Sequence, residues 1–255
     1  MMVGNGFRQV FGAWLAAALL ASCSWDAHAA ELVRPSYVIV AFGTSLTESV
    51  QVPKELRWTS LLQDKLQHNH PGMDVVVINA GIGGSTSREQ LARLEKDVLL
   101  RHPNLVIWDS GANDATFDPN LHVAVEDFAK NIKTFHDRVA SQTKAKMIFW
   151  PCTPIMDAVH AYGKNPFYAA AGGPDAYEAS YRKCLAETSG QLRVPFVDID
   201  AVFRQKFKEK GWDLYLCPDG IHYREAGNCL VADSLLPGIE EIINDTEKVI
   251  GDKVQ

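Results

Sequence analysis

The chain is short of cysteine and of positive charge. Five of its 255 residues are Cys, and no two stand in a Cys-x-x-Cys pair. His68 and His70 are two apart and share no helix face, and no His-x-x-x-His pair occurs. The usual spacings of a metal site are therefore missing, and neither metal nor cofactor is expected. Lys and Arg number 25 against 31 Asp and Glu, a net charge of -6 with no basic stripe; a nucleic-acid groove needs the opposite. The apolar run from Val10 to Ala21 falls short of the ~20 residues that cross a bilayer, so no transmembrane span is expected in the mature chain. No internal repeat, low-complexity tract or P-loop is present. Gly81-Ile82-Gly83-Gly84-Ser85-Thr86 carries Thr86 where a dinucleotide fingerprint needs its third Gly. Thr47 stands where an α/β-hydrolase elbow needs its second Gly.

What is present begins with a leader. Arg8, the apolar run and Ala27-His28-Ala29 follow signal-peptide grammar, with residues 1–29 removed on export. Leu20-Ala21-Ser22-Cys23 also resembles a lipobox, in which Cys23 becomes a lipidated N-terminus. Either way the protein is exported, as a periplasmic or secreted protein or as a membrane-anchored lipoprotein. Residues 30–255 then form a single domain. Cys152, Cys184, Cys217 and Cys229 remain, and an oxidising compartment favours disulfides. Closeness in sequence favours Cys152 with Cys184 and Cys217 with Cys229, one of three possible connectivities.

Strands and helices alternate. Apolar, β-branched runs at Tyr37–Phe42, Asp74–Asn79, Asn104–Asp109, Lys146–Trp150 and Val194–Ile199 read as about five strands. Pro53–His68, Ser87–Leu100, Asn120–Ser141, Asp175–Thr188 and Arg224–Leu236 read as helices, and the chain continues helical beyond Pro237. Ser87 with Gln90 fits a capping box. Strands separated by helices run parallel through right-handed crossovers. The expected fold is α/β, a three-layer αβα sandwich with a flavodoxin-like parallel sheet of order 2-1-3-4-5. Ligands bind such sheets at the carboxyl ends of the strands, where the order reverses.

The chemistry-bearing residues gather at that edge. Ser45 follows the first strand, Gly81 the second and Asn113 the third, while Asp219 and His222 lie in a late turn. Singly, each has a plainer role: Ser45 as a helix cap, Gly81 and Asp219 as turn residues, Asn113 as a loop brace, His222 as a satisfied loop histidine. Together they compose an acyl-transfer site. His222 is the base for Ser45, Asp219 orients His222, and Ser45 N–H, Gly81 N–H and the Asn113 amide form an oxyanion hole. Asp114 reads as a brace or helix start without a catalytic part.

In their order and setting, Ser45, Gly81, Asn113 and His222 resemble the four blocks of the SGNH hydrolases, the GDSL esterases and lipases. The resemblance spans Ser36 to about Leu236, and Val77–Leu94 with Asn113-Asp114 is similar to the periplasmic thioesterase and lysophospholipase branch. The usual Gly-Asp-Ser-Leu is Gly43-Thr44-Ser45-Leu46 in this chain; the replaced Asp is not the triad acid. The resemblance implies a serine hydrolase of carboxylic esters, and of thioesters, acting on a small-molecule, lipid or glycan ester. An acyltransferase using the same acyl-enzyme and a non-catalytic envelope binding protein on the same fold are the alternatives. The long Thr153–Pro174 connection is expected beside the site, either covering an acyl chain or forming a surface insertion.

Overall fold

A computed structural model describes residues 36–254, with side chains to 246. The leader, both of its cleavage readings and Cys23 lie outside the described residues. Four parallel strands make the sheet, in the order β2-β1-β3-β4. They are β1 (Ser36–Gly43), β2 (Asp74–Gly81), β3 (Leu105–Ser110) and β4 (Lys146–Pro151). Around them run α1 (Ser45–Glu48), α2 (Trp58–Asn69), α3 (Ser87–Asp97), α4 (Val125–Gln142), α5 (Pro174–Leu192), α6 (Ile199–Lys210) and α7 (Glu225–Val254). The αβα sandwich and the strand order are as the alternation of elements predicts.

Side-chain alternation along the strands builds two cores. Ile39, Ala41, Ile107, Ile148 and Trp150 face one way, against Trp58 and Leu62 of α2, Phe203 of α6 and Val231 of α7. Val40, Phe42, Val106, Trp108 and Phe149 face the other, against Leu94 of α3, Phe135 of α4 and Leu185 of α5. Burying one such side chain stabilises the fold by roughly 1.5–3 kcal/mol. These two clusters therefore hold the sheet, and the loops at its carboxyl edge are free to carry chemistry.

Three expectations are corrected. The fifth strand shrinks to one parallel bridge, Phe149 with Phe196. Pro195 supplies its carbonyl to Phe149 N–H but has no N–H to give, and Asp198 then caps α6, which the sequence reading missed. The capping box of α3 lies one residue earlier, with Thr86 and Glu89 exchanging hydrogen bonds. All four cysteines of the described residues are free thiols. The Cys152 thiol meets Glu178 of α5, whereas Cys184 of the same helix turns toward the Val125 carbonyl of α4, so the expected pair is not joined. The Cys217–Cys229 pairing is likewise not formed. Among the described residues no helix is long and apolar enough to cross a membrane.

Candidate active site

Ser45 is the first residue of α1, immediately after β1. Thr44 caps that helix in an extended conformation, its hydroxyl accepting from Leu46 N–H at 3.2 Å. The turn is pinned to β3 through the buried Asp109. The Asp109 carboxylate accepts from Thr44 N–H at 3.1 Å, from Thr44 Oγ1 at 2.6 Å and from the Thr47 hydroxyl. Burial pushes this carboxyl up, against the pull of its hydroxyl partners and of Arg93. A Cβ at position 43 would lie 1.6 Å from Asp109 Oδ1, so only glycine lets the carboxylate in. Arg93 closes the bottom of the turn by donating to the Gly43 carbonyl at 2.7 Å and to the Ala80 carbonyl at 2.8 Å.

Asp219 and His222 arrive on a turn ahead of α7. Asp219 Oδ1 accepts from Ile221 N–H at 3.1 Å and from His222 N–H at 3.0 Å, which fixes the turn. Its Oδ2 meets His222 Nδ1 at 2.8 Å, and His222 Nε2 meets Ser45 Oγ at 2.9 Å. A carboxylate accepts only, so Nδ1 carries the proton and Nε2 accepts from the serine hydroxyl. Partial burial raises the Asp219 carboxyl, but the His222 hydrogen bond and the two N–H groups outweigh it and hold it below the usual range. The three residues expected as a triad are thus brought into one hydrogen-bonded chain.

The expected oxyanion donors divide. Ser45 N–H, at a helix N-terminus, has no acceptor among the described residues. Asn113 gives one amide hydrogen to the Ser85 carbonyl at 3.1 Å and keeps the other. Gly81 is a correction. Its N–H already donates to Asn79 Oδ1 at 3.0 Å, and a Cβ there would lie 2.2 Å from Glu48 N. Gly81 is a packing glycine beneath α1. Three residues on, Gly84 adopts φ +76°, lines the same cavity as Asn113, and its N–H has no acceptor among the described residues. Between them, a Cβ at Gly83 would stand 3.6 Å from Ser45 Cβ, and Gly83 N–H is held by Glu48 Oε2 at 2.9 Å. The Gly83-Gly84 pair was the available signal, because paired glycines mark backbone needing freedom that other residues lack. Asp114 is a brace: it accepts from Ser87 N–H at 3.0 Å and from the Ser87 hydroxyl, at the start of α3.

A cavity of about 230 Å³ opens beside Gly84 and Asn113. The Thr153–Pro174 connection walls much of it with Ile155, His160, Tyr162 and Tyr168, and Ile221 closes it next to His222. The connection is not a loose insertion. Tyr168 Oη donates to the Ala115 carbonyl at 3.1 Å, and Met156 N–H to the Gly220 carbonyl at 2.8 Å. A short 3-10 turn spans Pro166–Ala171. Phe167, by contrast, is exposed and packs toward His122 and Tyr177.

Comparison with known proteins places the chain in a family and a fold. YqeF, an uncharacterized lipoprotein of Bacillus subtilis strain 168, is 27% identical over 78% of this chain and 88% of its own length. Thioesterase 1/protease 1/lysophospholipase L1 of Escherichia coli K12 is 24% identical over 93% of this chain and 97% of its own. In fold, the acetylxylan esterase of Geobacillus stearothermophilus superposes with a TM-score of 0.65 at 20% identity, over 80% of this chain and 94% of that one. The model of the GDSL-like lipase/acylhydrolase family matches residues 41–230, a span that includes Ser45, Gly84, Asn113, Asp219 and His222. The chain belongs to the GDSL-like lipase/acylhydrolase family, and is an SGNH-type esterase.

Proposed function

We propose that the protein hydrolyses carboxylic esters, and thioesters of like size, through an acyl-enzyme on Ser45. The observation that carries this reading is the continuous chain from Asp219 Oδ2 through His222 to Ser45 Oγ. His222 Nε2 takes the hydroxyl proton as Oγ attacks the carbonyl carbon, and Asp219 stabilises the imidazolium. The negative charge then forming on the carbonyl oxygen is met by Ser45 N–H, Gly84 N–H and the second Asn113 amide hydrogen, each worth roughly 3 kcal/mol of barrier. His222 returns its proton to the leaving alcohol or thiol. Water, deprotonated by the same nitrogen, releases the acid and restores Ser45. The small cavity favours a short group on one side of the ester bond.

Labelling with a fluorophosphonate, followed by peptide mapping, places the modification on Ser45. Ser45→Ala lowers the rate on nitrophenyl acetate by at least ~10³-fold. Equal rates in the two proteins would remove Ser45 from the mechanism.

We also infer that residues 1–29 direct export and that residues 30–255 are the mature domain, with lipidation at Cys23 as the second form. The signal grammar supports export, and the relative YqeF is named a lipoprotein. Mass spectrometry of the mature protein separates the two: a chain starting at Ala30 or one starting at a lipidated Cys23. An unprocessed chain beginning at Met1 would overturn both.

A further inference from the structure

Apolar side chains wall the cavity beside the oxyanion donors, together with polar groups that include Asn113, Thr116 and the two that follow. One is Glu178 of α5, 4% exposed and part of the cavity lining. Its two oxygens are not equivalent. Oε2 accepts from the buried Cys152 thiol at 3.0 Å and lies 3.5 Å from Arg182 Nη1. Oε1 accepts no hydrogen bond among the described residues, and Glu178 is a lining residue of the cavity. The other group is His160. Its Nδ1 accepts from Tyr162 N–H at 3.3 Å, which leaves the proton of the neutral ring on Nε2.

A carboxyl buried under an apolar pocket is an expensive feature unless something hydrogen-bonds to it. Arg182 draws Glu178 down, but it is shared with Asp175 at 3.0 Å and Asp200 at 3.4 Å. Burial dominates and drives the Glu178 carboxyl up to about 8. With Oε2 occupied as an acceptor, the proton of the neutral acid belongs on Oε1, the oxygen left without a partner in a residue that lines the cavity.

We propose that Glu178 determines specificity by exchanging a hydrogen bond, through Oε1, with a hydroxyl on the part of the ester that enters the cavity. A short hydroxylated moiety is thereby selected over an alkyl one of equal length. A hydroxyl suits either state of the group, accepting from the acid and donating to the carboxylate. An alkyl substrate would leave the acid unpaired, and sites built around a hydrogen bond discriminate strongly against analogues lacking it. The assignment rests on the ester-hydrolase reading above.

The test compares two matched pairs of substrates. One pair varies the acyl side, 4-nitrophenyl 3-hydroxybutyrate against 4-nitrophenyl butyrate. The other varies the alcohol side, glycerol 1-acetate against propyl acetate. Wild type favours the hydroxylated member of at least one pair by ~10-fold or more in kcat/KM, mostly through KM. Glu178→Met, of similar volume, brings that ratio to about unity, while Glu178→Gln, with a polar end of the same shape, retains most of it. Ratios at or below unity for both pairs in wild type overturn the assignment whether or not any variant folds. So does a folded Glu178→Met that keeps the wild-type ratio. Failure of wild type to turn over any of the four esters overturns the ester-hydrolase reading itself, and this assignment with it.

Discussion

Two glycines three positions apart do opposite work. Gly81 has no room for a side chain, since a Cβ would press on the backbone of Glu48 and Thr47. Gly84 has open space around its Cα but a left-handed φ of +76°. Alanine substitution separates them. Gly81→Ala forces α1 away from β2 and costs several kcal/mol, read as a large drop in urea midpoint. Gly84→Ala costs about 1–2 kcal/mol of backbone strain, keeps the fold, and lowers kcat by shifting an oxyanion donor. Ser45, Asn113, Asp219 and His222 were legible in the sequence because each follows a recognisable strand or sits in a short turn. Gly84, the glycine proposed as a donor, was signalled only by the Gly83-Gly84 pair. Position just beyond the expected strand Asp74–Asn79 pointed to Gly81, and nothing in the residue order reveals that Asn79 occupies its N–H. The departure at Thr44 also acquires a reason: its hydroxyl and N–H both reach Asp109, a carboxylate delivered from the next strand.

Helix and strand boundaries show where pattern reading works. The first four strands carry runs such as Val75-Val76-Val77-Ile78 and Leu105-Val106-Ile107-Trp108, and all four are present. Val194-Pro195-Phe196-Val197 has the composition of a strand, yet the missing proline N–H limits it to a single bridge. Only Asp198 separates its apolar residues from Ile199, where α6 begins, and that Asp is the helix cap, so a stretch read as one strand held two elements. The start of α3 is similar. Thr86, Ser87, Glu89 and Gln90 offer two overlapping capping boxes, and packing decides between them. Gln90 is buried, where it accepts from Trp108 Nε1 at 2.8 Å, so Glu89 is the side chain left to close the box. Thr86→Ala therefore destabilises the protein by about 1 kcal/mol in denaturant titration, whereas Gln90→Ala costs more by stranding a buried indole N–H.

Across the molecule, the largest cluster of buried and half-buried charge among the described residues lies beside the site. Asp175, Glu178, Arg182, Asp200 and Arg204 tie α5 to α6, and Asp175 also holds the backbone of Ile155 at the start of the cavity wall. Glu178 gives this cluster a pH signature. Its folded-state pKa, about 8, lies above its ordinary 4.5, so the folded protein retains a proton that the unfolded chain releases. The stabilisation is complete below about pH 4.5 and is lost as pH rises through about 8. Thermal melts from pH 5 to 9 should show the wild-type advantage over Glu178→Gln shrinking as pH rises; a constant gap would contradict the raised value.

The separation of the two cores from the carboxyl edge of the sheet has a consequence for descent. Apart from Ser45 at the head of α1 and Glu178 on α5, the groups that meet the reacting ester hang from connections, and the aromatic and aliphatic side chains of the two cores lie mostly apart from them. Relatives can exchange the mouth of such an enzyme while inheriting its frame unchanged, so a change of diet need not pass through an unstable ancestor.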